Sequence, residues 1–155
     1  MSSLPQLIGS PPNRTPGPYR LLFICTGNAC RSPMAEGLAR HYGMGRIDAY
    51  SAGVAPSPLN ARAVRVMAEL NIDIATHTHR SLEAVPIDQM DLVVTLCDYA
   101  QARSPRGPSG QHRLHWDIAD PTALWGPDWL VLRAYRNVRD ELDRRIRHLL
   151  RAVLK

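Results

Sequence analysis

Residues 19–36 read YRLLFICTGNACRSPMAE, and their pattern gives the main signals for the fold. Residues 19–24 form a compact apolar run that is short enough for a buried strand. The chain then meets Gly27, which tolerates unusual backbone angles in a tight loop. Ser32 offers a helix N-cap directly before a proline, so we expect a helix over about residues 33–42. The pattern predicts a strand, a tight loop and a helix.

Later stretches alternate in the same way. Apolar runs at residues 47–51, 91–96 and 113–116 predict three more strands, and Asn60 is expected to cap a second helix. A last helix is expected over residues 129–154. Strands that alternate with helices indicate an α/β fold. We expect a single three-layer domain in which helices flank a central, mostly parallel four-stranded sheet, with ligands at the carboxyl ends of the strands.

A chain of 155 residues fits one domain. Residues 1–18 are rich in proline and poor in apolar residues, so we expect a flexible tail before a domain at residues 19–155. The tail lacks the pattern of a secretory signal, and no segment is apolar for long enough to span a bilayer. The expected location is therefore cytoplasmic, where three cysteines indicate thiol chemistry or burial rather than disulfides.

The formal net charge of +5 suits anionic ligands, and nucleic acid is one candidate. The excess charge lies mostly on the last helix, where arginines are interleaved with Asp140, Glu141 and Asp143. That pattern is typical of a solvated helix face. No nucleic-acid partner is predicted.

Cys25 and Arg31 frame a loop with the spacing C-x5-R between the first strand and helix. Backbone N–H groups of such a loop bind the oxygens of a phosphate-like anion, and the guanidinium of Arg31 adds two parallel hydrogen bonds. The same positive field favours a thiolate at Cys25. We expect Ser32 to donate to that sulfur and Asn28 to hold the loop open by bonding neighbouring backbone. The spacing alone recurs by chance, but its context predicts a thiolate nucleophile. The expected oxyanion-binding residues are Thr26, Gly27, Asn28, Ala29, Cys30, Arg31 and Ser32.

Residues 25–36 (CTGNACRSPMAE) resemble the signature of the low-molecular-weight phosphotyrosine phosphatase superfamily. The similarity continues through residues 51–53 (SAG), 91–97 (DLVVTLC) and 115–121 (HWDIADP). It covers essentially everything after residue 18. That family includes phosphatases and a branch of cytosolic arsenate reductases, and the resemblance implies one of these two activities.

In that family an Asp-Pro pair in a late loop supplies the general acid, and Asp120-Pro121 is the matching pair here. An acid is needed to protonate the departing oxygen. The plain alternative is that Asp120 is a turn residue before proline. The resemblance favours the catalytic role.

Two features favour the reductase branch. The aromatic residues with which tyrosine phosphatases of this family wall the substrate ring are missing from residues 54–59 and 122–123, although Trp125 is near. Cys97 matches the second redox cysteine of the reductases. One feature is against it: the third cysteine of thioredoxin-coupled reductases, seven residues after the second, is replaced by Ser104.

The resemblance therefore implies an arsenate reductase, with a protein-tyrosine phosphatase as the alternative. Cys25 attacks arsenate, Asp120 protonates the leaving oxygen, and Cys97 or a small cellular thiol resolves the adduct. A glutaredoxin, thioredoxin or similar thiol partner restores the enzyme, and no bound cofactor is expected. The phosphatase uses the same Cys25, Arg31 and Asp120, with water in the second step. Cys30 is no evident substitute for the missing cysteine, because its position suits packing or a protective pairing with Cys25.

The sequence fits two other kinds of site less well. A zinc site would draw on a scattered set of residues without the paired spacing of a structural site, so no metal is predicted. A phosphoprotein-binding module without catalysis has no need of both a nucleophilic cysteine and an acid. The residues of the rejected zinc site are Cys25, Cys30, His77, His79 and Cys97.

Overall fold

A four-stranded parallel sheet lies at the centre of the protein in the computed structural model, which describes residues 16–154. The strands are β1 (Tyr19–Cys25), β2 (Ile47–Gly53), β3 (Leu92–Thr95) and β4 (His112–His115). They lie in the order β2-β1-β3-β4, and every neighbouring pair is parallel. The predicted parallel sheet is confirmed. The tail predicted for residues 1–18 falls almost entirely outside the described residues.

Helices cover both faces of the sheet. The α-helices of residues 16–154 are α1 (Arg31–Gly43), α2 (Ala61–Ala68), α3 (Asp98–Arg103) and α4 (Asp128–Val153). Helices α1, α2 and α4 share one core cluster with the sheet. Helix α3 and two short 3-10 turns, Leu82–Ala84 and Ile87–Gln89, lie over the other cluster. The molecule therefore has the three layers that the sequence predicts.

The centre of strand β1, residues 21–24, is apolar without interruption because both faces of the sheet are covered there. Leu21 and Phe23 belong to the core cluster under α1 and α4, whereas Leu22 and Ile24 belong to the opposite cluster. All four side chains are fully buried. Successive strand residues face opposite sides, so a strand covered on both faces needs apolar residues at every position. Each such side chain contributes about 1.5–3 kcal/mol of transfer free energy.

The strand order places a crevice at the carboxyl edge of the sheet. β1 and β3 are neighbours, while the chain continues from β1 to β2 on one side and from β3 to β4 on the other. Loops that leave neighbouring strands in opposite directions open a ligand-binding crevice between them. Cys25 is the last residue of β1, and Cys97 lies two residues after the end of β3. Both cysteines follow predicted strands, so the sequence predicts that they converge at one edge of a parallel sheet, and this is confirmed.

Two helix ends were expected from the sequence, and one of these predictions is wrong. Helix α1 begins at Arg31 with Cys30 at the N-cap, not with Ser32 as the cap. Ser32 lies inside the first turn because its hydroxyl faces the loop sulfur instead of the helix backbone. Asn60 does cap α2, accepting hydrogen bonds from the backbone N–H groups of Arg62 at 2.9 Å and Ala63 at 3.2 Å.

The segment of residues 98–110 also differs from expectation. Its prolines and glycines (Pro105, Gly107, Pro108 and Gly110) predict a movable loop, but its first six residues form α3. Ala100, in this helix, is fully buried against the second core cluster, which holds the helix on the sheet. Only the part after Arg103 lacks regular structure. Cys97 is therefore followed by a packed helix and not by a loose loop that could move it.

The C-terminal helix α4 closes the core. It buries Tyr135, Val138, Leu142, Ile146 and Leu149, whose near-helical spacing predicts one apolar face; Val153 continues that spacing but is only partly buried. Most of its arginines are exposed. Along residues 16–154, no helix has the length and apolar character required to cross a membrane.

Candidate active site

The conformation of the loop between β1 and α1 depends on Asn28 within it and on Gly53, which lies against it. Asn28 adopts a left-handed conformation with φ of 51°, which asparagine tolerates better than most residues. A Cβ atom at Gly53 would lie 2.7 Å from the backbone N of Asn28 and 2.7 Å from the backbone C of Gly27. The end of β2 therefore approaches the loop so closely that only glycine fits. Thr26, Gly27, Asn28, Ala29 and Cys30 form this loop, and Arg31 and Ser32 begin α1.

The sulfur of Cys25 is buried and faces two hydrogen-bonding groups. The backbone N–H of Asn28 donates to it at 3.3 Å, and the Ser32 hydroxyl lies 2.9 Å away. That hydroxyl oxygen already accepts from the side-chain amide of Asn28 at 2.8 Å, which leaves its own proton for the sulfur. Two donors aimed at one sulfur suit a sulfur that acts as an acceptor and nucleophile. Ser32 thus lies where the sequence predicts.

Asn28 connects the loop to a distant segment. Its side-chain oxygen accepts from the backbone N–H of Arg80 at 2.8 Å and lies 3.0 Å from Nε2 of His77. The expectation that Asn28 bonds neighbouring backbone was wrong, because its carbonyl group reaches across to residues 77–80. The side chain is completely buried, so these bonds replace water that is excluded from the site.

A buried carboxylate lies behind this connection. Oε2 of Glu36 is 3.5 Å from Nδ1 of His77, and its Oε1 accepts from Ser51 at 3.3 Å and from Arg80 at 3.4 Å. Sequence reasoning missed both Glu36 and His77 as parts of the site. Glu36 stands four residues after Ser32 and so shares a helix face with it, a weak signal. No local pattern marks His77.

Arg31 and Asp120 face each other across the mouth of the loop. Arg31 is buried, donates from Nη1 to the carbonyl of Ile118 at 3.0 Å, and places Nη2 3.8 Å from Oδ2 of Asp120. The other carboxylate oxygen of Asp120 accepts from the backbone N–H of Thr122 at 3.0 Å and from its hydroxyl at 2.6 Å. The side chain is 44% exposed. One carboxylate oxygen of Asp120 therefore accepts hydrogen bonds within the turn, while the other lies beside Arg31.

The other two cysteines differ in their surroundings. All three thiols are free. Burial raises the pKa of the Cys30 thiol far above its usual range, the nearby Cys25 and Asp120 add to this, and Arg31 offsets only part of it. Cys97 is half-buried, and its sulfur lies 3.4 Å from the hydroxyl of Thr26 in the loop. A second thiol therefore lies beside the residue that follows Cys25.

The segment along the loop at residues 54–60 contains no aromatic side chain. Residues 54–60 run along the loop, with backbone N–H groups of Ala55, Ser57 and Asn60 donating to loop carbonyls at 2.8–2.9 Å. Trp125, the first aromatic residue after Asp120 in the sequence, is 89% exposed. Among the described residues, no three His, Cys, Asp or Glu side chains converge as metal ligands would.

Curated relatives and solved structures resemble this chain over most of its length. An arsenate reductase from Halalkalibacterium halodurans is 41% identical over 127 residues, which cover 82% of this chain and 91% of the relative. A solved arsenate reductase in the oxidized state is 28% identical, with a TM-score of 0.74 over 85% of this chain and 96% of its own. An arginine phosphatase from Geobacillus stearothermophilus is 32% identical, with a TM-score of 0.72 over 88% of this chain and 94% of its own.

The match to a protein family spans nearly the whole described chain. Residues 20–155 match the family model described as low molecular weight phosphotyrosine protein phosphatase. The matched region contains β1, the loop, all four α-helices and the Asp120 turn. The chain therefore belongs to the low molecular weight phosphotyrosine protein phosphatase family.

Proposed function

We propose that this protein is an arsenate reductase that converts arsenate to arsenite through a thiol adduct of Cys25. The observation that carries the proposal is the position of Cys97, whose sulfur lies 3.4 Å from the Thr26 hydroxyl. A hydrolase needs one thiol, whereas reduction of arsenate by two electrons needs two. The 41% identity to a relative named arsenate reductase supports the same choice.

The first step uses the loop and its two neighbours. Backbone N–H groups of the loop and the guanidinium of Arg31 hold the arsenate oxygens. The Cys25 thiolate attacks arsenic and a bond between sulfur and arsenic forms. One oxygen leaves as water with a proton from Asp120, whose Oδ2 lies beside Arg31 at 3.8 Å.

The second step moves two electrons to arsenic. The Cys97 thiolate attacks the sulfur of Cys25, a disulfide forms, and the electron pair of the breaking bond between sulfur and arsenic stays on arsenic, which leaves as arsenite. Two thiols are oxidised and As(V) becomes As(III). A disulfide requires the two Cα atoms to come within about 7 Å of each other. The contact of Cys97 with Thr26 supports that approach.

An external thiol must then reduce the disulfide between Cys25 and Cys97. Ser104 stands where a third redox cysteine would be, and its hydroxyl accepts from Nη1 of Arg113 at 3.0 Å. The disulfide is therefore reduced at the crevice itself, by a glutaredoxin, a thioredoxin or a small cellular thiol. Such donors belong to the cytoplasm, where we place the protein.

Phosphatase activity is the second candidate, because hydrolysis needs only Cys25, Arg31, Asp120 and water. The likeness to an arginine phosphatase favours it. Residues 54–60 contain no aromatic side chain that could form a wall for a phosphotyrosine ring. We therefore rank reduction of arsenate first and hydrolysis second.

The deciding experiment measures both reactions in the native protein, in Cys97→Ser and in Cys30→Ser as a matched control. Arsenite is measured with separate donors, namely glutathione with glutaredoxin, thioredoxin with its reductase, and a small thiol alone. We expect Cys97→Ser to lose arsenate reduction and to keep aryl phosphate hydrolysis, whereas Cys30→Ser keeps both. If Cys97→Ser reduces arsenate at the native rate, small thiols resolve the adduct. If the native protein reduces no arsenate with any donor yet hydrolyses aryl phosphates, the phosphatase function replaces the reductase.

A further inference from the structure

Three polar side chains meet where β3 and β4 end, beside the start of α3. Nδ1 of His115 lies 2.7 Å from the hydroxyl of Thr95, its partner in the parallel register. Nε2 of the same ring lies 3.0 Å from Oδ1 of Asp98, the first residue of α3. One imidazole therefore joins the last residues of two strands to the first turn of the helix.

The bond between His115 and Asp98 forms in either charge state of the ring. A neutral ring donates from Nε2 to the carboxylate and accepts at Nδ1 from the Thr95 hydroxyl. A protonated ring donates from both nitrogens, and the Thr95 hydroxyl then donates to the carbonyl of Leu114 at 3.4 Å. Both ring nitrogens are occupied in either case. The ring has no free nitrogen with which to take a proton from Cys97.

Cys97 lies between the two residues that this imidazole holds. Thr95 ends β3, Leu96 is fully buried and donates its N–H to the carbonyl of Ile24 at 2.8 Å, and Asp98 begins α3. The Asp98 side chain is 86% exposed, so its bond to His115 is what attaches it to the sheet. The backbone of Cys97 is thus held from both sides, with its sulfur beside Thr26.

We propose that His115 is a positioning residue for the thiol step, which it serves by binding Asp98 and so holding Cys97 against the loop. The proposal rests on the function proposed above. His115 touches neither the substrate nor a reacting sulfur. It therefore acts on the formation of the disulfide between Cys25 and Cys97 and has no part in the attack of Cys25 on the oxyanion.

The chain allows matched pairs of variants. His115→Asn removes the donor that reaches Asp98, whereas His115→Gln retains a donor near the position of Nε2. Asp98→Ala removes the acceptor, whereas Asp98→Asn retains a carbonyl oxygen there. Asp88→Ala is the control for Asp98→Ala. Like Asp98, Asp88 is an exposed aspartate in the first turn of a short helix, the turn Ile87–Gln89.

The experiment mixes each reduced full-length protein, freed of external thiol, with arsenate and quenches it with acid. Mass spectrometry then measures the disulfide between Cys25 and Cys97 over time, and hydrolysis of an aryl phosphate is measured on the same samples. A small misplacement of a reacting group can slow a reaction about tenfold to a hundredfold. We expect a loss of that size in disulfide formation for His115→Asn and Asp98→Ala, with hydrolysis within about twofold of native. His115→Gln, Asp98→Asn and Asp88→Ala should form the disulfide at close to the native rate.

Three outcomes overturn the proposal, and they differ from one another. If the native protein forms no such disulfide, the Cys97 step proposed above fails and this role fails with it. If the native protein forms it and His115→Asn and Asp98→Ala form it equally fast, only the positioning role fails. If these variants lose hydrolysis as strongly as disulfide formation, His115 supports the whole fold of the site rather than the thiol step.

Discussion

Cys25 and Cys30 lie in the same loop and are both buried, yet different groups surround their sulfurs. Cys25 receives the N–H of Asn28 and lies 2.9 Å from the Ser32 hydroxyl. Burial raises the pKa of Cys30, so its sulfur remains a protonated thiol at neutral pH. A thiolate is the reactive form, and of these two sulfurs it is that of Cys25 at which two hydrogen-bond donors are aimed.

This difference predicts opposite results for two serine variants. Cys25→Ser should retain less than a few per cent of native aryl phosphate turnover, because a hydroxyl is a far weaker nucleophile in this loop. Cys30→Ser should retain most of it, and iodoacetamide should label Cys25 well before Cys30 at pH 7. Peptide mapping of the labelled native protein measures the order. Faster labelling of Cys30 would contradict the assignment of the nucleophile.

For Asp120, asparagine separates the two uses of the carboxylate. Asp120→Asn keeps an oxygen that accepts from Thr122, so the turn should persist, but it has no proton to give to the leaving group. We expect kcat for an aryl phosphate to fall by about a hundredfold to ten-thousandfold. Inhibition by inorganic phosphate, which reports oxyanion binding, should change much less. An unchanged kcat and an unchanged pH profile would leave Asp120 as a turn residue only.

Among the secondary-structure elements, the end of β2 sets how closely the loop backbone can approach the sheet. Gly53 pairs with Cys25 in the register of β1 and β2, and a Cβ there would lie 2.7 Å from loop backbone. Backbone cannot rotate away as a side chain can. The loop would have to move as a unit, and its oxyanion-binding N–H groups would move with it.

We therefore expect Gly53→Ala to weaken inhibition by inorganic phosphate and to lower aryl phosphate turnover together, by about tenfold or more. Gly45→Ala is the matched control. Gly45 has φ of 83° and nothing within 4 Å of an added Cβ, so alanine there costs about 1–2 kcal/mol of stability and should leave turnover unchanged. Native phosphate inhibition in Gly53→Ala would show that the loop does not depend on this close approach.

At the scale of the whole molecule, a cluster of charges joins α2 to α4. Arg136 binds the Glu69 carboxylate through two nitrogens at 2.8–3.2 Å, and Arg139 reaches it at 2.7 Å. Arg139 is buried and also donates to the carbonyl of Val66 at 2.8 Å. The expectation that α4 carries a uniformly solvated arginine face is therefore wrong at Arg139. Its charge is paired with Glu69 and also with Asp140, whose Oδ1 accepts from Nε at 2.9 Å, because a buried cation without a partner is destabilising.

This cluster predicts how stability depends on pH. The hydrogen bonds from Arg136, with Arg139 adding, lower the pKa of Glu69 from 4.5 to about 2. A carboxylate with a lowered pKa in the folded state stabilises it fully above the unfolded pKa and loses this effect as the pH falls through the folded value. Urea unfolding should thus find Glu69→Gln less stable than native at pH 7, with a difference that shrinks between about pH 4.5 and 2.

The control for that measurement is Glu141→Gln, which removes a carboxylate that pairs with Arg145 four residues later on α4. Pairs of this kind on a helix surface contribute only about 0.3–0.5 kcal/mol. Glu141→Gln should therefore change the unfolding free energy little at any pH. A difference between native and Glu69→Gln that stays constant from pH 7 to pH 2 would mean that packing, rather than charge, accounts for the effect.

Much of the fold could be predicted because its signals are local. The apolar run of β1, the glycine of the loop and the Asn60 cap each act on neighbouring residues, and the structure has all three in place. The continuous apolar character of β1 and β3 also predicts cover on both faces. The placement of Cys25 and Arg31 at the two ends of one loop follows from their spacing together with the strand before it and the helix after it. The boundaries were less certain, and Cys30 rather than Ser32 precedes α1.

The parallel sheet, the loop and the position of the cysteine that we propose as its nucleophile thus follow from the sequence, whereas only the folded chain shows which residues support them. Asn28 contacts Arg80, which lies 52 residues away in the sequence, and His77, which lies 49 residues away. His115 contacts Asp98, which lies 17 residues away. Such contacts depend on where separate loops pass over the carboxyl edge of the sheet, and no periodicity or cap encodes that. Local patterns specify which conformation each segment adopts, but only packing of the whole chain excludes water from these polar groups and so pairs them with one another.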